Sequence, residues 1–130
     1  MQNGVFIREK SSGETLMKII TSITSQPRQQ FILRLDNNES VTINLYYYSS
    51  QSSWYFDIEY KDYVNRGNKV VLTMNALRHL KNKLPFGIAI ISGSYADPFQ
   101  LDDFSTKNVL MLLLNAEEVQ EIEETIYNAQ

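Results

Sequence analysis

The chain has 130 residues, 43% of them hydrophobic and 21% charged, and fifteen acids against twelve bases give it a net charge of −3. That length suits one domain with a single core, and that charge offers no electrostatic reason to seek nucleic acid. The sequence contains no cysteine, which excludes a disulfide scaffold, a thiolate metal site and a cysteine nucleophile; no run approaches the ~18 apolar residues of a membrane span.

Residues 1–15 read as an N-terminal arm. Val5-Phe6-Ile7 is a short apolar cluster in a polar setting, and Ser11-Ser12-Gly13-Glu14 has the composition of a linker. The arm lacks the apolar core of a secretory signal. It is either a frayed terminus or a segment whose Val5, Phe6 and Ile7 dock onto a neighbouring subunit.

Residues 16–114 carry the patterns of a β-domain. Residues 18–23 are rich in β-branched side chains and predict a first strand, closed by Pro27. Residues 29–60 then alternate apolar and polar side chains through three runs. Phe31, Leu33 and Leu35 share a face of the first; Val41, Ile43, Leu45 and Tyr47 share a face of the second; Trp54, Phe56, Ile58 and Tyr60 share a face of the third. A period of two puts successive side chains on opposite sides of a sheet, so the three runs predict an antiparallel meander with one dry and one wet face. Asn37 and Asn38 suit the first turn, Ser49 to Ser53 the second, and Arg66-Gly67-Asn68 within a third turn spanning residues 62–68. A fifth strand is predicted over 69–74.

At Asn75 the spacing changes. Leu77, Leu80 and Leu84 fall at helical intervals between a capping Asn75 and a terminating Pro85, which predicts a short helical segment. Residues 86–91 and 108–114 are nearly continuous apolar runs, the pattern of strands buried on both faces. Two such strands beside a meander predict an all-β fold, a small antiparallel barrel or sandwich.

Residues 115–130 predict a C-terminal helix capped by Asn115, with Glu117 and Glu118 in the first turn where the helix dipole favours negative charge. Its apolar face is Val119, Ile122 and Ile126. The helix either lies on the β-domain or projects and packs on a partner through those three residues. Five of the fifteen acids fall in this segment, which holds no Lys or Arg.

The sequence gives little to build catalysis on. His79 has no partner at a useful spacing, and no serine lies in a Gly-x-Ser-x-Gly elbow. Asp97, Asp102 and Asp103 form the one acidic cluster, but they lack the alternating ligand spacing of a calcium loop and read as turn and solvated-loop residues. No phosphate-cradling glycine loop is present, and no cofactor or metal site is expected. Aromatic residues are the stronger signal. Tyr46, Tyr48 and Tyr55 lie on the wet face of the meander, where they could stack bases or sugars or meet a protein. Asp57 and Glu59 beside them have the wrong sign for nucleic acid, which favours a protein contact.

The order of these features resembles a family of small phage proteins, the cyanophage-type baseplate plug. The matching parts are Met17-Lys18-Ile19-Ile20; Gln29-Gln30-Phe31 leading to Leu35-Asp36; Val41 to Tyr47; and Trp54-Tyr55-Phe56-Asp57-Ile58. Later come Ala76-Leu77, Gly87-Ile88-Ala89-Ile90, Asp102-Asp103-Phe104 and Val109-Leu110-Met111-Leu112, so the resemblance runs from about residue 17 to 114. Asn38 stands where the family places a hairpin glycine, and the arm and C-terminal helix look like additions.

The resemblance implies a structural component of a phage tail baseplate, near the distal end of the tail tube, with no enzymatic activity. It implies residence in the virion, and in the host cytoplasm during assembly. Its implied partners are other tail proteins (hub, tube, spike or tape measure), met in an oligomeric assembly. The alternative reading is a small-ligand-binding β-barrel module with Tyr46, Tyr48 and Tyr55 as its platform.

Overall fold

A computed structural model describes residues 17–127 and the backbone of residues 4–6. In chain order the strands are β1 (Gly4–Phe6), β2 (Lys18–Ile20), β3 (Arg28–Arg34), β4 (Ser40–Tyr48), β5 (Ser53–Tyr60), β6 (Tyr63–Lys69), β7 (Phe86–Ser92) and β8 (Val109–Asn115), followed by helix α1 (Ala116–Ile122). They form two four-stranded antiparallel sheets with strand orders β3-β4-β5-β6 and β1-β2-β8-β7. Of the two architectures the patterning allowed, the protein adopts the sandwich; the sheets do not close into a barrel.

The meander forms as its alternation dictates. Val41, Ile43 and Leu45 pair in register with Tyr60, Ile58 and Phe56, and Tyr47 with Trp54, so both strands turn the same parity inward. Val41, Ile43, Leu45, Trp54, Phe56 and Ile58 are fully buried, each contributing about 1.5–3 kcal/mol of apolar burial. The β3–β4 turn is held by amide bonds from Leu35 to the Glu39 carbonyl and from Asn38 to the Leu35 carbonyl. Asn38 sits there at φ +68°, the left-handed region that asparagine tolerates better than most residues. Asparagine, where the resemblance implies a hairpin glycine, is therefore compatible with the turn.

The second sheet is the middle layer of three. Ile88, Ile90, Met111 and Leu113 face the meander, while Ala89, Leu112 and Leu114 face outward and are covered by Val119 and Ile122 of α1. Burial on both sides is why β7 and β8 read as unbroken apolar runs. Asn115 caps α1 through a reciprocal box. Its side chain accepts from the Glu118 amide at 2.8 Å, and the Glu118 carboxylate accepts from the Asn115 amide at 2.8 Å. A π-helical turn, Glu123–Tyr127, follows, and Arg78 ties it down by a 2.7 Å bond to Glu123 while lying over the Tyr127 ring.

Three local expectations are corrected. The first strand ends at Ile20 instead of residue 23. The fifth strand lies at Tyr63–Lys69, where a turn was expected, and not at 69–74. The turn residues Arg66 and Gly67 belong to a β-bulge: register shifts between Phe56 and Ile58, Gly67 takes φ +76°, and its amide donates to Asp57 Oδ1 at 2.8 Å. The reversal itself falls at Lys61 and Asp62, between paired Tyr60 and Tyr63. Residues 70–73 instead cross between sheets. Val70 donates to the Trp54 carbonyl at 2.9 Å, and Thr73 exchanges two amide bonds with Ile90 at 2.9 and 3.0 Å.

The helical segment after Asn75 is also shorter than expected, a single 3-10 turn at Arg78–Leu80. Leu77, Leu80 and Leu84 all point into the core; the spacing marks an inward face, not a full helix. Asn75 is buried, and its Oδ1 accepts from the amides of Leu77 at 3.0 Å and Ile88 at 3.2 Å, so it bridges the turn to β7.

Candidate assembly surface

The outer face of the meander brings the three expected tyrosines together. Tyr46 and Tyr55 are register partners on β4 and β5, and Tyr48 lies two residues beyond Tyr46 on the same side. Their ring centroids are 5.4 Å apart for Tyr46–Tyr48, 5.4 Å for Tyr48–Tyr55 and 6.0 Å for Tyr46–Tyr55, within the range of favourable aromatic pairing. Tyr48 is 40% exposed and the other two are half-buried.

Polar partners fix the rings from the side. The Tyr46 hydroxyl donates to Asp57 Oδ1 at 2.8 Å, the Tyr55 hydroxyl donates to Gln51 Oε1 at 2.5 Å, and the Arg28 guanidinium lies 5.5 Å from the Tyr46 centroid. Burial, followed by the hydrogen bond and charge of Asp57, pushes the Tyr46 phenol up to about 12. Asp57 thus holds both the Tyr46 ring and the bulge amide of Gly67. It is a fixed part of this surface.

A second set of exposed apolar side chains escaped the sequence patterns. Tyr95 is 90% exposed, Phe99 52% and Leu101 39%, all on the connection between β7 and β8. Asp103 was expected in a solvated loop and is buried instead. Its Oδ2 accepts from the amides of Phe99 and Gln100, both at 2.8 Å, and its Oδ1 accepts from the Asn108 side chain at 3.0 Å. The core aromatics hold the same segment from below: Tyr47 Oη donates to the Phe99 carbonyl at 2.7 Å, and Trp54 Nε1 to the Gln100 carbonyl at 3.0 Å. Asp97 Oδ1 accepts from the Leu72 amide, while Asp102 stays at the surface. The signals for this loop were the turn at Asp97 and the Asp102-Asp103 pair ahead of the last strand.

The ends of the chain divide the remaining expected contact residues. Val119 and Ile122 are buried against their own sheet, whereas Ile126 is 47% exposed. Val5 and Phe6 lie on β1, which runs antiparallel to β2 with Val5 opposite Ile19 and Phe6 opposite Lys18. Ile7 falls outside the described residues. His79 is exposed on the 3-10 turn. Among the described residues no group of three or more His, Asp or Glu could hold a metal ion, and no helix is long and apolar enough to cross a membrane.

The fold and this surface define a small all-β scaffold that presents fixed aromatic side chains on its outside. The family model described as "Cyanophage baseplate Pam3 plug gp18" matches residues 17–116. The chain belongs to that family of phage baseplate plug proteins and has a structural role in the baseplate. No curated protein matches it. The matched span includes β2 to β8 whole, and leaves out β1 and nearly all of α1.

Proposed function

We propose that the chain acts as a structural brick near the distal end of the tail tube. Contacts with neighbouring tail proteins (hub, tube, spike or tape measure) hold it there, and it has no enzymatic role. In this reading it is oligomeric in the virion and assembles in the host cytoplasm. Residues 1–15 serve as an arm, 16–114 as the β-domain and 115–130 as the terminal helix. Membership of the plug family over residues 17–116 is the observation that carries the reading.

The tyrosine face is the contact we assign to a neighbour. Its rings are already packed on one another and hydrogen-bonded, so docking orders little that is not ordered beforehand. The test combines mass spectrometry of purified tails with a Tyr48→Ala/Tyr55→Ala variant. The wild-type chain should be a stoichiometric tail component. The variant should keep its melting temperature within a few degrees while its incorporation falls at least tenfold. Absence of the chain from tails would defeat the baseplate reading, and normal incorporation of the variant would defeat the assignment of this face.

A further inference from the structure

We propose that β1 is an exchanged strand: in the assembled baseplate, Gly4–Phe6 of one copy pairs with Lys18–Ile20 of an adjacent copy. The inference rests on the baseplate reading above and names a second copy of this chain as the arm's partner.

Three observations lead there. The first is position. β1 is the edge strand of its sheet, and its register pairing is with β2 alone, Gly4 opposite Ile20, Val5 opposite Ile19 and Phe6 opposite Lys18. Three residue pairs are a small ladder to hold a terminus in place. The second is connection length. Eleven residues, 7–17, separate paired Phe6 and Lys18, where an antiparallel hairpin needs only two to five. A connection of eleven residues is longer than a hairpin needs. Fully extended they reach about 36–40 Å, comparable to the ~36 Å diameter expected of a compact domain this size. The connection is therefore long enough to leave its own domain and meet β2 of a neighbour packed alongside. The third is the family match, which begins at residue 17. The other three strands of the sheet lie inside the matched span, and β1 lies outside it.

Exchange keeps the same backbone bonds and changes only which copy supplies them. Inside one chain, β1 contributes a few bonds to an edge. Between copies, the same bonds link subunits, and a symmetric array holds the partner strand at high effective concentration. The strand-addition geometry is one that proteins commonly use for assembly.

The chain has no cysteine, so single thiols report cleanly. Val5→Cys and Ile19→Cys, register partners across the pair, are introduced on separate full-length chains distinguished by a tag. The two chains are coexpressed during tail assembly, and purified tails are oxidised and run without reductant. Exchange predicts a disulfide dimer joining one Val5→Cys chain to one Ile19→Cys chain, in at least tenfold excess over like-with-like dimers. A chain carrying both substitutions should give ladders in tails. If the doubly substituted chain instead runs as an internally bridged monomer and the mixed single variants give no dimer, the strand stays at home and the inference fails. If neither forms a bridge, β1 and β2 do not pair and the inference also fails. Absence of the chain from tails defeats the baseplate reading itself, and the inference with it.

Discussion

Gly87→Ala tests the least obvious packing feature of the core. Gly87 lies on β7, and a Cβ there would sit 2.7 Å from Asn75 Oδ1 and 2.9 Å from both Asn75 Cγ and Nδ2. Contacts that short force something to move. The far end of a loose side chain would move cheaply, but Asn75 is 4% exposed and its Oδ1 is held by the amides of Leu77 and Ile88. Displacing it leaves two buried amides without an acceptor, at about 1–3 kcal/mol each, and overpacking adds strain of similar size. Partial relaxation brings the expected total to about 2–4 kcal/mol, or a drop of roughly 10 °C in Tm for a domain of this length. Urea denaturation of the full-length chain measures it. A double-mutant cycle isolates the cause: with Asn75→Ala already present, Gly87→Ala should cost at least ~1 kcal/mol less than it does alone. A Gly87→Ala protein within ~0.5 kcal/mol of wild type, or additive costs in the cycle, would refute the reasoning.

Asp103→Ala removes a buried carboxylate that accepts from the Phe99 and Gln100 amides and the Asn108 side chain; the expected loss is about 3 kcal/mol, with hydrogen exchange rising across residues 97–108. Tyr46 should ionise late in an ultraviolet titration, near pH 12, and Tyr46→Phe should abolish that late step. Because the folded pKa is raised above the unfolded value of 10.0, the stability it contributes is present below pH 10 and is lost as pH rises toward 12. Glu39 has the opposite sign: its hydrogen bonds to Lys61 and Tyr60 lower its pKa below 4.5, so stability is lost as pH falls through that region, and Glu39→Gln should flatten the acid limb of the pH–stability curve.

The parts of the fold legible in the sequence were those where a single period decides the face. In β4 and β5 burial alternates from Val41 to Leu45 and from Trp54 to Tyr60, and the predicted and observed strands coincide to within a residue or two. The Asn115 cap was equally readable, because asparagine followed three positions later by glutamate is a local device. Legibility failed where tertiary partners reassign local signals. Residues 62–68 look like a turn until Asp57 is known to hold the Gly67 amide and make Arg66 and Gly67 a bulge within a strand. Residues 69–74 look like a strand until Val70 is seen bonded to one sheet and Thr73 to the other. Leu77, Leu80 and Leu84 look helical because three inward leucines around a 3-10 turn share helical spacing. On the surface, the tyrosine cluster followed from strand parity. Phe99 and Leu101 did not, since their exposure depends on what Asp103, Tyr47 and Trp54 do to the backbone beneath them.

Those three residues explain why apolar side chains can stand outside this domain without the loop collapsing over them. Tyr47 and Trp54 pack their rings 5.2 Å apart and Trp54 meets Phe104 edge-on at 5.5 Å, so their apolar surface belongs to the core. Their polar atoms have no core partner and turn to the carbonyls of Phe99 and Gln100. Asp103 takes the amides of the same two residues. Donor and acceptor sides of the 99–100 backbone are thus both occupied from within, which leaves the Phe99 side chain 52% exposed on a fixed main chain. Moving the 99–100 backbone to bury that ring would break bonds to the buried Asp103 carboxylate and the buried Trp54 indole, at about 1–3 kcal/mol for each buried group left unsatisfied, against about 1.5–3 kcal/mol for fully burying the ring. The balance favours exposure. The bonds that satisfy the core's polar atoms are the same ones that keep an apolar residue outside.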